Sequence, residues 1–530
     1  MKTYTTFSTK NTSQLEPIPN KTMVENSAGG YVFAIDDWKR LQRFLILGTE
    51  GGTYYASEQK ITKENAECVL RCIKADGIKT VNTIIEVSEA GRAPKNDPAL
   101  FALAMCAGLG NTQTKQYALK SLSKVARIGT HLFHFVAYVE QFRGWGRRLK
   151  RGIQEWYNLK TIDDLAHQAV KYQSRDKWSH RDLLRLSHPK TNDKERNSIY
   201  KWIVDSDMYI EPVHKLIQGY RLAHSGEVKN KGQHIIDYNL SREMIPTEWL
   251  QDIDVWKALL EKMPLTAMIR NLATMTRIGV IVPLAESNKK IIASLTNKDA
   301  LKKARIHPIA LLSALKTYEQ GHGESGKNTW EPVSQIVDVL NDAFYLSFDT
   351  IEPTEKRWLL ALDVSGSMSK ENISGVPSLT PRVASSAMAM ATARVEANYH
   401  IMAFSKGFIP LSISPKQRLD DICRYTEKLP FDGTDCAVPM LWATKNKIPV
   451  DVFTIYTDNE TWAGNVHPCQ ALNQYRQQMG IPAKLIVVGM TSSSFSIADP
   501  NDAGMMDVVG FSTDTPKLMS DFAKVITPPN

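Results

Sequence analysis

The hydrophobic pattern of this 530-residue chain changes near position 350, and this change limits the possible folds more than any other feature. Before it, apolar side chains recur at three- and four-residue spacing, as at Leu41, Phe44 and Leu45, which is typical of amphipathic helices. After it, short β-rich runs such as 450–456 alternate with helix-forming stretches. The sequence therefore predicts two architectures that meet within 347–356.

The two parts of the chain are predicted to pack differently. In the first part, helices joined by short polar connections indicate an α-solenoid-like array without a strict repeat period. In the second part, continuous apolar strands separated by helices indicate a doubly wound parallel α/β sheet. We predict a multidomain protein with an N-terminal tail at 1–27, an α-helical domain at 28–350 and an α/β domain at 351–530.

Composition argues against several classes of protein. The longest apolar runs are much shorter than a membrane span, and the N-terminus lacks the apolar segment of a secretory signal. The six cysteines are scattered, which favours a reduced compartment over a disulfide framework. We expect a cytoplasmic monomer that does not enter a membrane.

Polar side chains follow the predicted strands of the α/β domain. Asp363, Ser365 and Ser367 lie in "DVSGSM" after the first strand, and Asp458 lies in "YTDNE" after a later one. Thr434, in "FDGTDC", is on a loop between them. Because ligands of such sheets bind beyond the carboxyl ends of the strands, we expect these five residues to converge. Two carboxylates and three hydroxyls favour a hard divalent cation, with Mg²⁺ first and Mn²⁺ or Ca²⁺ as alternatives.

Other interpretations of "DVSGSM" fit less well. A serine-hydrolase elbow needs G-x-S-x-G, and the first glycine is missing. The phosphate-loop pattern G-x-x-x-x-G-K-[ST] does not occur in the motif. The remaining alternative is that Asp363 and the serines only cap the following turn.

The net charge of +9 is concentrated in one segment of the first part. Residues 120–190 contain 15 Lys and Arg against 6 Asp and Glu, whereas 351–530 contain 16 against 18. Trp145, Trp178 and other aromatic residues are interleaved with the cations, which suits the phosphates and unstacked bases of RNA. The alternative is that the cations only solvate helices whose aromatic residues lie in the core.

The candidate RNA-binding residues share a positive charge or, for one histidine, a place at the start of a basic helix. They are Lys120, Lys124, Arg127, Arg147, Arg148, Lys150, Arg151, Lys171, Arg175, His180, Arg181, Arg185, Arg270 and Arg277. The last two share one helix face, and the sequence leaves open whether that face borders a groove or only pairs helices.

Two resemblances to known families follow from these motifs. "LALDVSGSM", with "GTD" and "TDNE", resembles the metal-ion-dependent adhesion site (MIDAS) of von Willebrand factor A domains. In that family the five matching positions, here Asp363, Ser365, Ser367, Thr434 and Asp458, surround the cation. The resemblance implies a binding module in which a protein partner's carboxylate completes the metal shell.

The second resemblance covers both parts of the chain. "RIGTHLF", "GWGRRLKRGIQEWY", "KYQSRDKWSHRDLLRLSH", "MPLTAMIRNL" and "IPAKLIVVGM" resemble the Ro autoantigen family, which carries the TROVE module. The resemblance implies a ring of HEAT-like helical repeats and a von Willebrand factor A domain. It further implies Y RNA binding on the outer surface, single-stranded 3′ ends of misfolded RNA in the central hole, and RNA quality control as a ribonucleoprotein. An exoribonuclease such as polynucleotide phosphorylase is an implied partner.

These features favour a non-catalytic RNA-binding protein. A metal-dependent protein-binding scaffold is the main alternative, in which the helical domain would bind proteins. A Mg²⁺-dependent nuclease is a third, but no second carboxylate cluster or general base accompanies the candidate ligands in the sequence.

Overall fold

The computed structural model describes residues 11–48, 58–205, 214–323, 327–348, 352–370, 373, 379–430, 432–491, 493–510 and 515–524. These residues form two compact units. One unit is the helical unit, Ala66–Ser347, and the other combines the described residues up to Asn65 with those from Phe348 onward. We call the second the α/β unit.

The helical unit contains mainly α-helices of two to four turns. They are α2 (Glu58–Ala90, which begins just before the unit), α3 (Asp97–Leu109), α4 (Thr112–Lys120), α5 (Leu122–Val125), α6 (Gly129–Phe142), α7 (Arg147–Asn158), α8 (Ile162–Lys171), α9 (His180–Ser187), α10 (Lys194–Val204), α11 (Lys215–Ser225), α12 (Lys231–Tyr238), α13 (Ile253–Glu261), α14 (Leu265–Ile278), α15 (Glu286–Leu295), α16 (Lys298–Lys303), α17 (Pro308–Glu319) and α18 (Ser334–Leu346). A short hairpin of β3 (Ser174–Arg175) and β4 (Trp178–Ser179) precedes α9.

Local sequence explains where these helices begin. The side chains of Asn111 and Thr161 each accept a hydrogen bond from the backbone N–H of the third residue of α4 and α8, and Ser179 and Asp182 form a capping box at α9. Helices that are neighbours in sequence then pack together, as α11 does with α12 and α17 with α18.

The start and the end of the helical unit are also in contact. The Nε2 atom of His307, just before α17, lies 3.2 Å from the carbonyl oxygen of Arg92, just after α2. This packing of successive helices confirms the predicted HEAT-repeat-like fold class, and the contact is what closure of such an array into a ring requires.

The α/β unit contains the predicted parallel sheet. Its strands are β5 (Arg357–Asp363), β6 (Asn398–Phe404), β7 (Phe408–Ile409), β8 (Val452–Thr457), β9 (Lys484–Gly489) and β11 (Met505–Val509), in the order β11-β9-β8-β5-β6-β7. Only β7 is antiparallel to its neighbour. The helices of the unit are α1 (Asp37–Leu47), α19 (Ser367–Lys370), α20 (Pro381–Ala393), α21 (Leu419–Glu427), α22 (Val438–Lys445), α23 (Pro468–Met479) and α24 (Thr515–Lys524).

The N-terminal segment differs from its prediction as a separate tail. Strands β1 (Val24–Glu25) and β2 (Tyr31–Ala34) form a small antiparallel sheet with β10 (Phe495–Ser496). The side chain of Gln14 is buried, and its Nε2 donates to Asp435 Oδ1 at 2.7 Å. These runs are too short for their alternation to be visible in the sequence. The partners β10 of β2 and Asp435 of Gln14 lie more than 400 residues away.

Residues 28–48 also pack with the α/β unit rather than with the helical array to which we assigned them. The guanidinium group of Arg43 in α1 is buried, donates to the Phe495 carbonyl oxygen at 3.0 Å and forms an ion pair with Asp507. The contact boundary therefore lies near position 65, because α1 covers the edge of the parallel sheet.

Among the described helices, none combines the length and the apolar character that crossing a bilayer would require.

Candidate cation site and nucleic-acid interface

The carboxyl ends of the two central strands position the candidate cation site. β5 ends at Asp363 and its parallel neighbour β8 ends at Thr457, so Asp458 follows at the same edge. The backbone N–H of Ser365 donates to Asp363 Oδ1 at 2.9 Å, and Thr457 Oγ1 donates to Asp363 Oδ2 at 2.6 Å. These bonds orient the carboxylate toward the loop that follows β5.

The structure brings the five predicted ligand residues to this edge, and each of them is buried. Ser365 Oγ and Ser367 Oγ are 3.1 Å apart, and Ser367 is hydrogen-bonded to the Asp458 carboxyl. The backbone oxygen of Thr434 accepts from the N–H groups of Trp462 and Ala463, at 3.0 and 2.9 Å, which ties its loop to the loop of Asp458.

One of these groups has an unused hydrogen-bonding atom. Thr434 Oγ1 is buried and has no hydrogen-bond partner among the described residues. A buried hydroxyl without a partner costs free energy, so this oxygen fits a ligand position that a cation would use. The set matches the oxygen-only chemistry of Mg²⁺. No three His, Cys, Asp or Glu side chains group as metal ligands in the described part of the chain, and this site would depend on hydroxyls.

Burial and mutual repulsion affect the ionisation of the carboxyl groups at this edge. Burial raises the pKa of Asp363, and burial together with the charge of Asp363 raises the pKa of Asp458. Burial and the charge of Asp458 raise the pKa of Glu460 as well. Each of these carboxyl groups therefore resists ionisation, and a bound divalent cation would reverse that preference.

Sequence reasoning missed several residues that shape this edge. Arg382 at the start of α20 is buried, and its guanidinium donates to the carbonyl oxygens of Val364 and Ser365. The Glu460 side chain accepts from the Ala28 N–H at 3.1 Å. Glu460 could have been noted two positions after Asp458 in "TDNE", whereas nothing in the sequence pattern points to Arg382.

The cationic surface, which we define as the exposed arginines of α7 and α9, lies on the helical unit. It consists of Arg147, Arg148, Arg151, Arg181 and Arg185. The two helices pack against each other through their apolar faces, so their charged faces are left to solvent. Among the described residues, the acids that form ion pairs with these arginines are Glu155, at 3.1 Å from Arg151, and Asp205, at 3.8 Å from Arg185.

The other predicted cations fall into two groups. Lys120, Lys124, Arg175, Arg270 and Arg277 are exposed, whereas Arg127, Lys150 and Lys171 are half-buried. Arg127 donates to the carbonyl oxygen and Oγ of Ser88, at 3.2 and 2.8 Å, and Lys171 lies 3.8 Å from Glu243. Arg127 therefore has a structural role.

His180 was predicted at the RNA surface, and the structure corrects this. Its side chain is buried, with 3% of its surface exposed. Its Nδ1 lies 2.7 Å from the Tyr157 hydroxyl and its Nε2 lies 3.2 Å from the Gln168 carbonyl oxygen. Both ring nitrogens are occupied inside the protein, so the imidazole joins α7, α8 and α9 instead of binding a phosphate. Its position directly before Arg181 in sequence concealed this, because His180 faces inward from the first turn of α9.

The interleaved aromatic residues divide in the same way. Trp156 is fully buried, and its indole N–H donates to the Ala126 carbonyl oxygen. Trp145 and Trp178 are half-buried, and their rings contact each other with 5.4 Å between centroids. The core interpretation is thus correct for Trp156, while the tryptophan pair stays partly open to solvent.

Fold and site together define an α-solenoid protein that carries an α/β domain of the von Willebrand factor A type. Residues 24–232 and 235–317 match the TROVE domain, and residues 357–523 match the Ro60 vWA domain. The chain belongs to the Ro60 family of TROVE proteins.

Named proteins of this family are similar to the chain over most of its length. "RNA-binding protein RO60" of Deinococcus radiodurans is 42% identical over 510 residues, covering 95% of this chain and 96% of that protein. "RNA-binding protein RO60" of Caenorhabditis elegans is 36% identical over 580 residues, covering 94% and 90%. The crystal structure of the Deinococcus radiodurans RO (RSR) protein covers 92% of this chain and 99% of its own, with a TM-score of 0.70 at 42% identity.

Proposed function

We propose that this chain is a non-catalytic RNA-binding protein whose helical unit binds structured small RNA. The observation that carries this proposal is the cationic surface, where five arginines of two packed helices are exposed and, among the described residues, two acids pair with them. Arginine side chains on such a surface release counterions from RNA phosphates, which gives affinity with little sequence preference. The names of the relatives, "RNA-binding protein RO60", support the same activity.

A finer part of the proposal concerns the RNA itself. Y RNA would occupy the outer cationic surface, and an unpaired 3′ end of a misfolded RNA would enter the hole of the helical ring. The contact between His307 and Arg92, at 3.2 Å, supports an array that closes on itself. The protein would then act in RNA quality control together with an exoribonuclease such as polynucleotide phosphorylase.

Filter binding with two RNAs that share one stem-loop tests this function. One RNA carries a single-stranded 3′ tail and the other ends blunt. We expect saturable binding of both at moderate salt, with the tailed RNA bound more tightly because only an unpaired strand can enter a narrow hole. Failure of both RNAs to saturate the protein would favour the scaffold alternative, and cleavage of either RNA during incubation would favour a nuclease.

We also propose that the α/β unit binds a divalent cation, most readily Mg²⁺. Asp363, Ser365, Ser367, Thr434 and Asp458 would hold it, and the unpartnered hydroxyl of Thr434 is the observation that supports this. The cation would supply a positive centre for a carboxylate of a protein partner. The chain's own residues orient the ligands, since Thr457 fixes Asp363 and Ser367 fixes Asp458.

Isothermal titration with Mg²⁺ tests the cation site. We expect the wild-type chain to bind the ion and Asp363→Ala to lose it, while affinity for the tailed RNA stays within about twofold, since the cationic surface lies in the helical unit. Equal loss of Mg²⁺ and RNA binding would show that the site is needed for the fold of the whole chain.

A further inference from the structure

The helical unit contains a cavity that the proposed function does not yet use. It has a volume of about 140 Å³ and lies between α8, α12, α13 and the start of α14. Its apolar lining includes Ile235, Leu240, Ala258 and Leu259. An apolar cavity of about 150 Å³ accommodates a ring the size of benzene, so this volume suits a single six-membered ring.

One side chain in this lining has an unused hydrogen-bonding edge. Asn271 is 7% exposed, and its Nδ2 donates to the Ala267 carbonyl oxygen at 2.7 Å. That bond fixes which way the amide faces. Its Oδ1 atom receives no hydrogen bond from the described residues, and Nδ2 has a second hydrogen. The amide can therefore accept one hydrogen bond and donate one more.

A second polar group lines the same cavity. His167 is half-buried against the ring of Tyr172, and its ring nitrogens make no hydrogen bond within the described residues. Burial lowers its pKa, so the imidazole is neutral near pH 7 and offers one donor and one acceptor. Apolar walls with a few unused polar groups are typical of small-ligand sites.

The rim of the cavity carries more positive than negative charge. Lys171, Arg242 and Lys262 lie in the lining with two acids, Glu243 and Glu261. Lys171 is 3.8 Å from Glu243, which leaves Arg242 and Lys262 as exposed cations. A planar ring inside and cations at the rim are complementary to a nucleotide.

We propose that this cavity binds one unpaired cytosine of a single-stranded RNA, an inference that rests on the RNA-binding function proposed above. Cytosine has a single six-membered ring, and its edge presents an amino donor beside a ring-nitrogen acceptor. The amino group would donate to Asn271 Oδ1, and the ring nitrogen would accept from the free Nδ2 hydrogen. Uracil has a carbonyl oxygen in place of the amino group, and this oxygen would face the Asn271 oxygen without a hydrogen between them. A purine is too large for the cavity. Arg242 and Lys262 would lie beside the flanking phosphates.

Fluorescence anisotropy with labelled decamers of cytidine and of uridine tests this inference on the full chain. The two RNAs have equal length and charge, so contacts to phosphate alone bind them equally. A bidentate contact to a base is worth about 1–3 kcal/mol, so we expect the cytidine decamer to bind at least about fivefold more tightly. Free cytidine 5′-monophosphate should displace it at concentrations at which uridine 5′-monophosphate does not.

Asn271→Leu, which keeps the size but removes both polar groups, should lower cytidine affinity to the uridine value and leave uridine affinity unchanged. Thr266→Ala, on the exposed face of the same helix, should retain the preference. Equal binding of the two decamers by the wild-type chain would overturn the inference while leaving RNA binding intact. If the stem-loop RNAs also failed to bind, the proposed RNA-binding function itself would be refuted.

Discussion

Acidification should destabilise the helical unit through one buried histidine. His180 lies among Tyr157, Phe133 and Trp156, and its neutral ring accepts or donates hydrogen bonds at both nitrogens. Burial lowers its pKa to about 4, against about 6.5 in an unfolded chain. Between these two values the unfolded state binds a proton that the folded state does not.

The sign and size of the effect follow from this difference. The neutral form favours folding, so the contribution of His180 is fully present above about pH 6.5 and is lost as the pH falls toward 4. At 1.36 kcal/mol per pKa unit, the total is about 3 kcal/mol, of which about 2 kcal/mol is lost by pH 5. A loss of 2 kcal/mol is a large part of the stability of an ordinary domain.

Hydrogen exchange of the α9 amides measures this loss without contributions from the α/β unit. Protection factors between pH 7 and pH 5 would be compared for the wild-type chain and His180→Asn, whose amide can replace a hydrogen bond but does not titrate. His188→Asn is the matched control, because His188 is exposed and has the left-handed conformation that asparagine tolerates. We expect about 2 kcal/mol less protection in the wild type at pH 5 and a smaller change in His180→Asn. Parallel loss in both chains would refute a neutral, buried His180.

Three further perturbations test other parts of the structure. The double variant Arg181→Gln and Arg185→Gln should weaken RNA binding in a filter-binding assay and reduce the slope of log affinity against log salt concentration by about 1.5–2. Lys289→Gln is the control and should change neither quantity, because Lys289 on α15 is paired with Glu286. Thr434→Val should abolish the rise in melting temperature caused by Mg²⁺ without lowering stability in its absence, because the hydroxyl it removes has no partner among the described residues; a lower melting temperature without Mg²⁺ would contradict this. Gln14→Glu should lower the free energy of unfolding of the α/β unit by at least about 2 kcal/mol in urea denaturation, because it places a second carboxylate 2.7 Å from Asp435; unchanged stability would refute that contact.

Much of the α/β unit could be predicted from sequence, because the local preferences of its residues agree with the strands and helices that they form. The β-rich run predicted at 450–456 is observed as the strand Val452–Thr457. The convergence of Asp363, Ser365, Ser367 and Asp458 also followed from the parallel order of β5 and β8, whereas Thr434 lies on the connection between α21 and α22. In such sheets, the chain direction alone determines which loops meet.

The parts that sequence could not predict depend on contacts between distant residues. Gln14 is held by residues more than 420 positions away, and Arg43 by Phe495 and Asp507, so no local pattern marks them. The prediction for His180 was wrong because a shift of one residue, about 100° around the helix, separates the buried His180 from the exposed Arg181. The sequence gives no sign of a role for Asn271, because only the structure shows that its unused amide edge lines the cavity.

Sequencing of the RNA that copurifies with the chain tests its central function most directly. The wild-type protein would be compared with a variant in which the arginines of the cationic surface are replaced by glutamine. We predict that discrete small structured RNAs, with unpaired 3′ ends among them, accompany the wild type and are depleted from the variant. If the two proteins carry the same RNA in the same amount, or neither carries RNA above background, the cationic surface is not an RNA-binding site.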